Sequence, residues 1–349
     1  MKRRAFIQSA WGLGGLATGL AHSKPADHAV TPAVPAVTPA PLIWRETHFT
    51  GLGTLLSIRA AHTHSATLDA ALAAARQTVE RIEDQMSLFR PDSAISRLNR
   101  EGQLRQPEPE LLGLLQRSQQ IARRSRGAFD ITVQPLWQLY ARAQAQGRVP
   151  SAREVQAARQ RVGWQQLHIT PERVAFARPG MGITLNGIAQ GHAADRVREV
   201  LQAHGIAHAL VNTGEWAALG QSPAGQDWVL GVANPRQATT AAQQPSPLAA
   251  RLALQGRCLA TSADDQCAFT VDRQHHHIFN PHTGMSPPDL ASVTVATTDC
   301  TLADALTKVL FVAGYQRALT VAQAWQTDAL LIHKTGQLQA SPGLQRLAV

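Results

Sequence analysis

The chain has 349 residues, 44% of them apolar and 16% charged, with a mean hydropathy of −0.15 and a formal charge of +9. That composition excludes a disordered chain, and no apolar run approaches the roughly 20 residues of a transmembrane helix. Only 5% of residues are aromatic, with two tyrosines, which argues against a base-stacking nucleic-acid platform. Cys258, Cys267 and Cys300 are too few and too scattered for a disulfide framework or a four-thiolate zinc site.

Residues 1–21 combine a basic start (Lys2, Arg3, Arg4) with a short apolar, Gly-rich stretch that ends in small residues. These are the parts of a secretory signal, and the paired arginines before Phe6 resemble a twin-arginine signal. The expected compartment is the periplasm, which is oxidising. Cleavage would remove Lys2, Arg3 and Arg4, and the mildly basic remainder is no argument for DNA binding. Residues 22–42, rich in Pro, Ala, Thr and Val, read as an extended linker. The folded domain is expected over 43–349.

Residues 44–60 read as paired strands around Gly51 and Gly53. Leu68, Leu72, Ala75, Val79, Ile82 and Met86 recur every three to four residues and predict a long amphipathic helix. A second helix is expected over about 109–125, stopping at Gly127, and Ser151 to Glu154 is a capping box opening a third. Short strands are expected at 181–186 and 207–212, flanking a helix over about 189–203. Residues 234–250 read as a surface insertion. Further strands are expected near 252–260, 267–272 and 292–297, helices over 302–313 and 315–325, and a late strand from Ala329 to His333. This alternation predicts α/β or α+β with one continuous core.

Four segments could carry chemistry. Gly127 to Trp137 follows a helix stop, and Asp130 and Thr132 would share one face of a strand; the plain alternative is a solvated turn. Asn186 to Asp195 joins a strand to a helix, with Gly187 and Gly191 leaving room for a ligand and free N–H groups suited to a phosphate. It is not the dinucleotide fingerprint, and a tight turn explains it as well. His275-His276-His277 suggests zinc, but in a strand the middle histidine points away from the other two, and a surface run before an Asn-Pro turn is equally open. Asp304 and Lys308 share a helix face, as an exposed ion pair or as a carboxylate aimed at a metal or phosphate.

Taken together, in this order, these segments resemble the ApbE family of FAD:protein FMN transferases. Met86-Ser87-Leu88-Phe89 with Ser93, Ser96, Leu98 and Asn99 is similar to its first flavin motif, Gly127 to Leu136 to its second, and Leu185 to Asp195 to its third. Val211 to Glu215, Ala260 to Ser262, His277 to Gly284 and Ala303 to Leu306 complete the set, over about residues 45–335. The resemblance implies a single-domain fold around a flavin site. It also implies FAD as donor, Mg²⁺, and transfer of FMN to a Thr or Ser hydroxyl with release of AMP. The implied acceptors are redox proteins, including membrane-complex subunits facing the periplasm. By the same resemblance His277 is the proton acceptor. Met86, Ala128, Phe129, Asp130, Thr184, Gln190 and Ile278 fall at FAD-contact positions, and Gly187 (main-chain carbonyl) and Asp304 at metal positions.

The chain departs from the family pattern at several of these positions. Where the family carries Lys, Asp and Tyr, this chain carries Gln190, Thr184 and His192, and Asn280 and His282 stand for its Asp and Arg. Ala263 replaces a Gly. Gln190 and Glu215 resemble an exported branch associated with nitrous-oxide reductase maturation. Lys308 stands where the family places a metal-binding Thr, and Thr307 lies one residue early, about 100° away around a helix. The leading expectation is an exported FMN transferase. The alternatives are a flavin-binding maturation protein with weak or lost transfer, and an unrelated periplasmic metal or binding protein using the histidine run.

Overall fold

The computed structural model describes residues 41–236 and 248–349. The expected export signal, nearly all of the linker and most of the 234–250 insertion lie outside the described residues. The chain begins with a hairpin of β1 (Ile43–Gly51) and β2 (Thr54–His62), then α1 (Ser65–Met86), α2 (Ala94–Glu101), β3 (Gln103–Arg105) and α3 (Pro109–Arg124). Next come α4 (Gln134–Ala145), α5 (Ala152–Arg159), β4 (Leu167–Ile169), β5 (Arg173–Phe176), α6 (Ala189–Ala203), β6 (His208–Asn212) and β7 (Trp216–Leu219). The rest comprises β8 (Val229–Ala233), β9 (Leu248–Ala253), β10 (Cys258–Ala263), β11 (Leu290–Thr297), α7 (Cys300–Ala313), α8 (Ala318–Ala324), β12 (Asp328–His333), β13 (Leu338–Ala340) and α9 (Pro342–Gln345).

Eight strands form one sheet in the order β1-β2-β6-β7-β10-β11-β12-β13, each pairing antiparallel. The α/β or α+β expectation therefore resolves to α+β in a single domain. The side-chain period of two splits each central strand between two cores. Val211, Ala260, Val293, Val295 and Leu331 face a core shared with α1, α6 and α7. Leu210, Leu259, Ala296 and Leu330 face the other way, against Trp228, Leu230, Leu252 and Leu344. A satellite core gathers Leu136, Tyr140, Val155, Phe269 and Phe279 beneath α4 and α5.

The helix signals form as read. Gly127 takes φ +82° after α3 and its N–H donates to the Ala122 carbonyl at 2.7 Å, which only a residue without Cβ does cheaply. Ser151 and Glu154 form the reciprocal capping box. Asp195, on the buried face of α6, accepts from Cys300 N–H (3.0 Å), Thr301 N–H (2.8 Å) and Thr301 Oγ1 (2.7 Å), satisfying the free donors that open α7. Gly191 makes this approach possible: a Cβ there would lie 2.2 Å from the Cys300 carbonyl oxygen. The expectation that Gly191 makes room for a ligand is thus corrected to helix-on-helix packing.

Four strand expectations change. The stretch near 252–260 is not one strand: β9 ends at Ala253 and β10 begins at Cys258, and Gln255 (φ +48°) and Gly256 (φ +72°) turn the chain between them. Residues 181–185 join no ladder and 186–188 form a turn; a side chain takes the neighbouring strand's place, with Asn99 bonding both backbone groups of Ile183. Residues 127–137 form a turn, a 3-10 segment (Ile131–Val133) and the start of α4, with Asp130 capping the turn. Residues 267–272 make only an isolated bridge, Ala268 to His276. Asp272 instead closes a local turn, accepting from Thr270 Oγ1 (2.6 Å) and Gln274 N–H (3.0 Å), which competes with a ladder.

Candidate active site

A cavity opens where six parts of the chain meet. Ala128, Phe129, Asp130, Ile131, Val133 and Trp137 line it from the second motif and the residue after it, and Thr184, Asn186, Gly187 and Gln190 from the third and the residue before it. Thr261, Ser262, Gln266 and Cys267 line it from β10 and the loop after it, and His277, Ile278, Phe279 and Pro281 from the histidine run, with Glu215 from the approach to β7 and Lys308 from α7. The sequence-derived residues Ala128, Phe129, Asp130, Thr184, Gly187, Gln190, His277 and Ile278 all meet on its wall. Met86 does not line it; the side chain is 1% exposed, in the main core at the end of α1. Asp304 is fully buried, behind the wall that Lys308 forms.

Asp130 is a buried organiser. Its Oδ1 accepts from Thr132 N–H (2.8 Å) and Oγ1 (2.7 Å), and its Oδ2 from Trp164 N–H at 3.0 Å. Burial raises its pKa, and the Thr132 and Trp164 bonds oppose that rise. Thr184 is fixed through its own N–H, which donates to the Ile131 carbonyl at 2.8 Å, and its hydroxyl accepts from Asn186 N–H at 3.2 Å. Gln190 lies over Gly214, whose φ is +99° and where a Cβ would sit 2.3 Å from the Gln190 amide nitrogen. Gly214 is the close approach that this side chain needs.

The three histidines serve three purposes. His276 is fully buried; its Nε2 donates to the Pro287 carbonyl (3.3 Å), its Nδ1 accepts from Ile278 N–H (3.4 Å), and burial pushes its pKa down to about 3. His275 packs against Tyr140, ring centroids 5.5 Å apart. His277, half-buried, lines the cavity. Its backbone N–H donates to the Cys267 carbonyl at 3.0 Å and its Nδ1 lies 3.3 Å from the same oxygen. A carbonyl only accepts, so this contact calls for a proton on Nδ1. Among the described residues, no group of three or more His, Cys, Asp and Glu side chains is placed to hold a metal ion.

The charged groups form one cluster. Lys308 Nζ donates to Asp304 Oδ1 and, at 3.0 Å, to the Asp304 main-chain carbonyl. Gly191 N–H donates to Asp304 Oδ2 at 3.0 Å, so both carboxylate oxygens are engaged. Glu215 accepts from Thr261 N–H at 2.9 Å; burial and then the Asp304 charge push its carboxyl well above the usual range, while Lys308 pulls it back. Thr307 is turned to the interior, its hydroxyl bonding Ser262 Oγ (2.8 Å) and the Asp304 carbonyl (2.7 Å).

The wall also includes Val133, Trp137, Gln266, Cys267 and Phe279, none of which the sequence alone marks as a site residue. Val133 and Trp137 fall within the second motif segment, where a helical period would have found them beside Phe129 and Asp130. Gln266 and Cys267 carry no local signal; a non-ladder loop brings them in.

A model of the ApbE family matches residues 52–331. An FAD:protein FMN transferase of Vibrio cholerae is 31% identical over 273 residues, covering 74% of this chain and 77% of its own. One from Treponema pallidum is 29% identical over 315 residues, covering 84% and 85%. Among solved structures, the flavin transferase ApbE from Vibrio cholerae superposes with a TM-score of 0.74 at 26% identity, covering 88% of this chain and 100% of its own. The ApbE protein from Thermotoga maritima gives 0.76 at 25% identity, covering 88% and 100%.

Proposed function

The chain belongs to the ApbE family, and we propose that it is an FAD:protein FMN transferase acting on a periplasm-facing redox protein. The observation that carries this reading is the meeting of His277, the Asp130 turn and the start of α6 on one cavity. The basic and apolar stretch at residues 1–21 supports export by the twin-arginine route.

Phosphoryl transfer asks a protein for positioning and electrostatics. The acceptor Thr or Ser hydroxyl attacks the FMN phosphorus, a new P–O bond forms, and the bridging P–O bond breaks. AMP leaves with that electron pair. The hydroxyl proton passes to Nε2 of His277, acting as general base. The Cys267 carbonyl keeps the imidazole in the tautomer this requires. Phe129, Ile278 and Trp137 supply apolar wall for a flavin, and Thr184, Asn186 and Gln190 supply polar groups.

The Mg²⁺ that the resemblance implies at Gly187 and Asp304 does not fit the residues as they stand. Mg²⁺ needs about six oxygen ligands at roughly 2.1 Å. Here Asp304 already bonds Lys308 and Gly191 through both carboxylate oxygens.

The test is covalent flavin fluorescence on a denaturing gel, with the mature chain, FAD and a periplasmic acceptor domain. The expected result is a fluorescent acceptor band that His277→Ala abolishes while FAD binding persists. FAD binding without a band from the wild type would reject transfer and favour a flavin-binding maturation protein.

A further inference from the structure

We propose that the Lys308 ammonium stands in place of the divalent ion, so that this chain binds the FAD pyrophosphate without a metal. The inference rests on the flavin reading above. This one side chain reaches both residues at which the family resemblance puts metal contacts. Its Nζ bonds the Asp304 carboxylate and carbonyl. Its stem lies against Gly187, where an added Cβ would come within 3.1 Å of Lys308 Cε.

The ammonium is held rather than stray. The side chain is 18% exposed, beside a carboxylate that is fully buried. An ammonium has three N–H donors. Asp304 accepts two of them, and no other described residue accepts the third. Lys308 lines the cavity beside Asn186, Gly187, Thr261 and Ser262, so that donor and the positive charge are available to an anion there. A phosphate oxygen is the matching acceptor, since charge-assisted N–H···O bonds to phosphate are among the strong ones. No hydroxyl substitutes at the missing ligand position, because Thr307 Oγ1 is buried against Ser262 and the Asp304 carbonyl. A divalent ion entering here would have to displace the ammonium from Asp304 before reaching that carboxylate.

The test is a titration of the mature chain with FAD, followed by flavin fluorescence anisotropy. It is run in EDTA and again in millimolar MgCl₂, for the wild type and Lys308→Thr. The wild type is expected to bind FAD in EDTA with an affinity that Mg²⁺ changes by less than about twofold. Lys308→Thr is expected to lose about tenfold or more in EDTA, the worth of one charged hydrogen bond, and to recover with Mg²⁺. Calorimetric titration of Mg²⁺ alone into the wild-type chain, which needs no variant to fold, is expected to give no binding heat. Wild-type binding of FAD only with Mg²⁺, or a saturable Mg²⁺ isotherm, would overturn the inference and leave the flavin reading standing. No FAD binding under either condition, by a chain with a normal circular-dichroism melt, would reject both.

Discussion

Asn99 and Ile183 are joined by two hydrogen bonds: Asn99 Nδ2 donates to the Ile183 carbonyl at 2.8 Å, and Asn99 Oδ1 accepts from the Ile183 N–H at 2.7 Å. A side-chain amide thereby plays the part of a neighbouring strand. It ties the end of the first flavin motif to the segment that delivers Thr184, whose N–H is bonded in turn to Ile131 of the second. Three motifs far apart in sequence are fixed to one another by three short bonds.

Asn99→Ala removes both partners of the Ile183 backbone. A loss of about 1–3 kcal/mol is expected, the cost of leaving backbone groups unsatisfied. Urea denaturation measures it, and FAD titration should show weaker binding from the loosened 184–190 wall. Unchanged FAD affinity would mean that Asn99 serves the fold alone.

Gly191→Ala and Gly113→Ala should move stability in opposite directions. At Gly191 the new Cβ would meet the Cys300 carbonyl at 2.2 Å, in a backbone contact that has nowhere to go. Overpacking of this kind costs about 1–3 kcal/mol or more. At Gly113, within α3, a Cβ meets nothing within 4 Å, and the substitution is expected to add about 0.5–1 kcal/mol by helix propensity. Thermal melts of the two variants check the pair.

Asp195→Ala should destabilise by about 3 kcal/mol, because it leaves the opening N–H groups of α7 and the Arg198 guanidinium without their buried carboxylate. Asp195→Asn, which keeps an acceptor oxygen, is expected to cost less. Equal losses in denaturant melts of the two variants would show that charge, and not the capping bonds, carries the effect.

His276 sets an acid limit on stability. Its folded pKa is lowered to about 3 by burial, whereas the unfolded chain binds the proton near the ordinary histidine value of about 6.5. The neutral ring therefore contributes fully above pH 6.5, and its contribution declines as pH falls from 6.5 toward 3. The slope approaches about 1.4 kcal/mol per pH unit. His276→Gln lacks that titration. Melts at pH 7, 6, 5 and 4 should show the wild type losing more than the variant; parallel losses would place the acid sensitivity elsewhere.

Local chemistry determined much of this protein from sequence alone. The repeat from Leu68 to Met86 dictated α1, the Ser151–Glu154 box opened α5, Gly127 stopped α3, and residues 189–203 matched α6. The collinear motifs around Asp130, Asn186 and His277 carried the family, because each keeps short-range spacings that one chain records directly. Tertiary structure decided what depends on partners far along the chain. Residues 181–186 and 267–272 lost their strand pattern to Asn99 and Asp272, bonds invisible to periodicity. His276 became core and His277 a cavity residue through the carbonyls of Pro287 and Cys267. The helix period alone put Lys308 beside Asp304; only the approach of α6 to α7 laid its stem on Gly187 and its ammonium over the buried carboxylate. Electrostatics acts through space, and that distance is fixed only when the chain has folded.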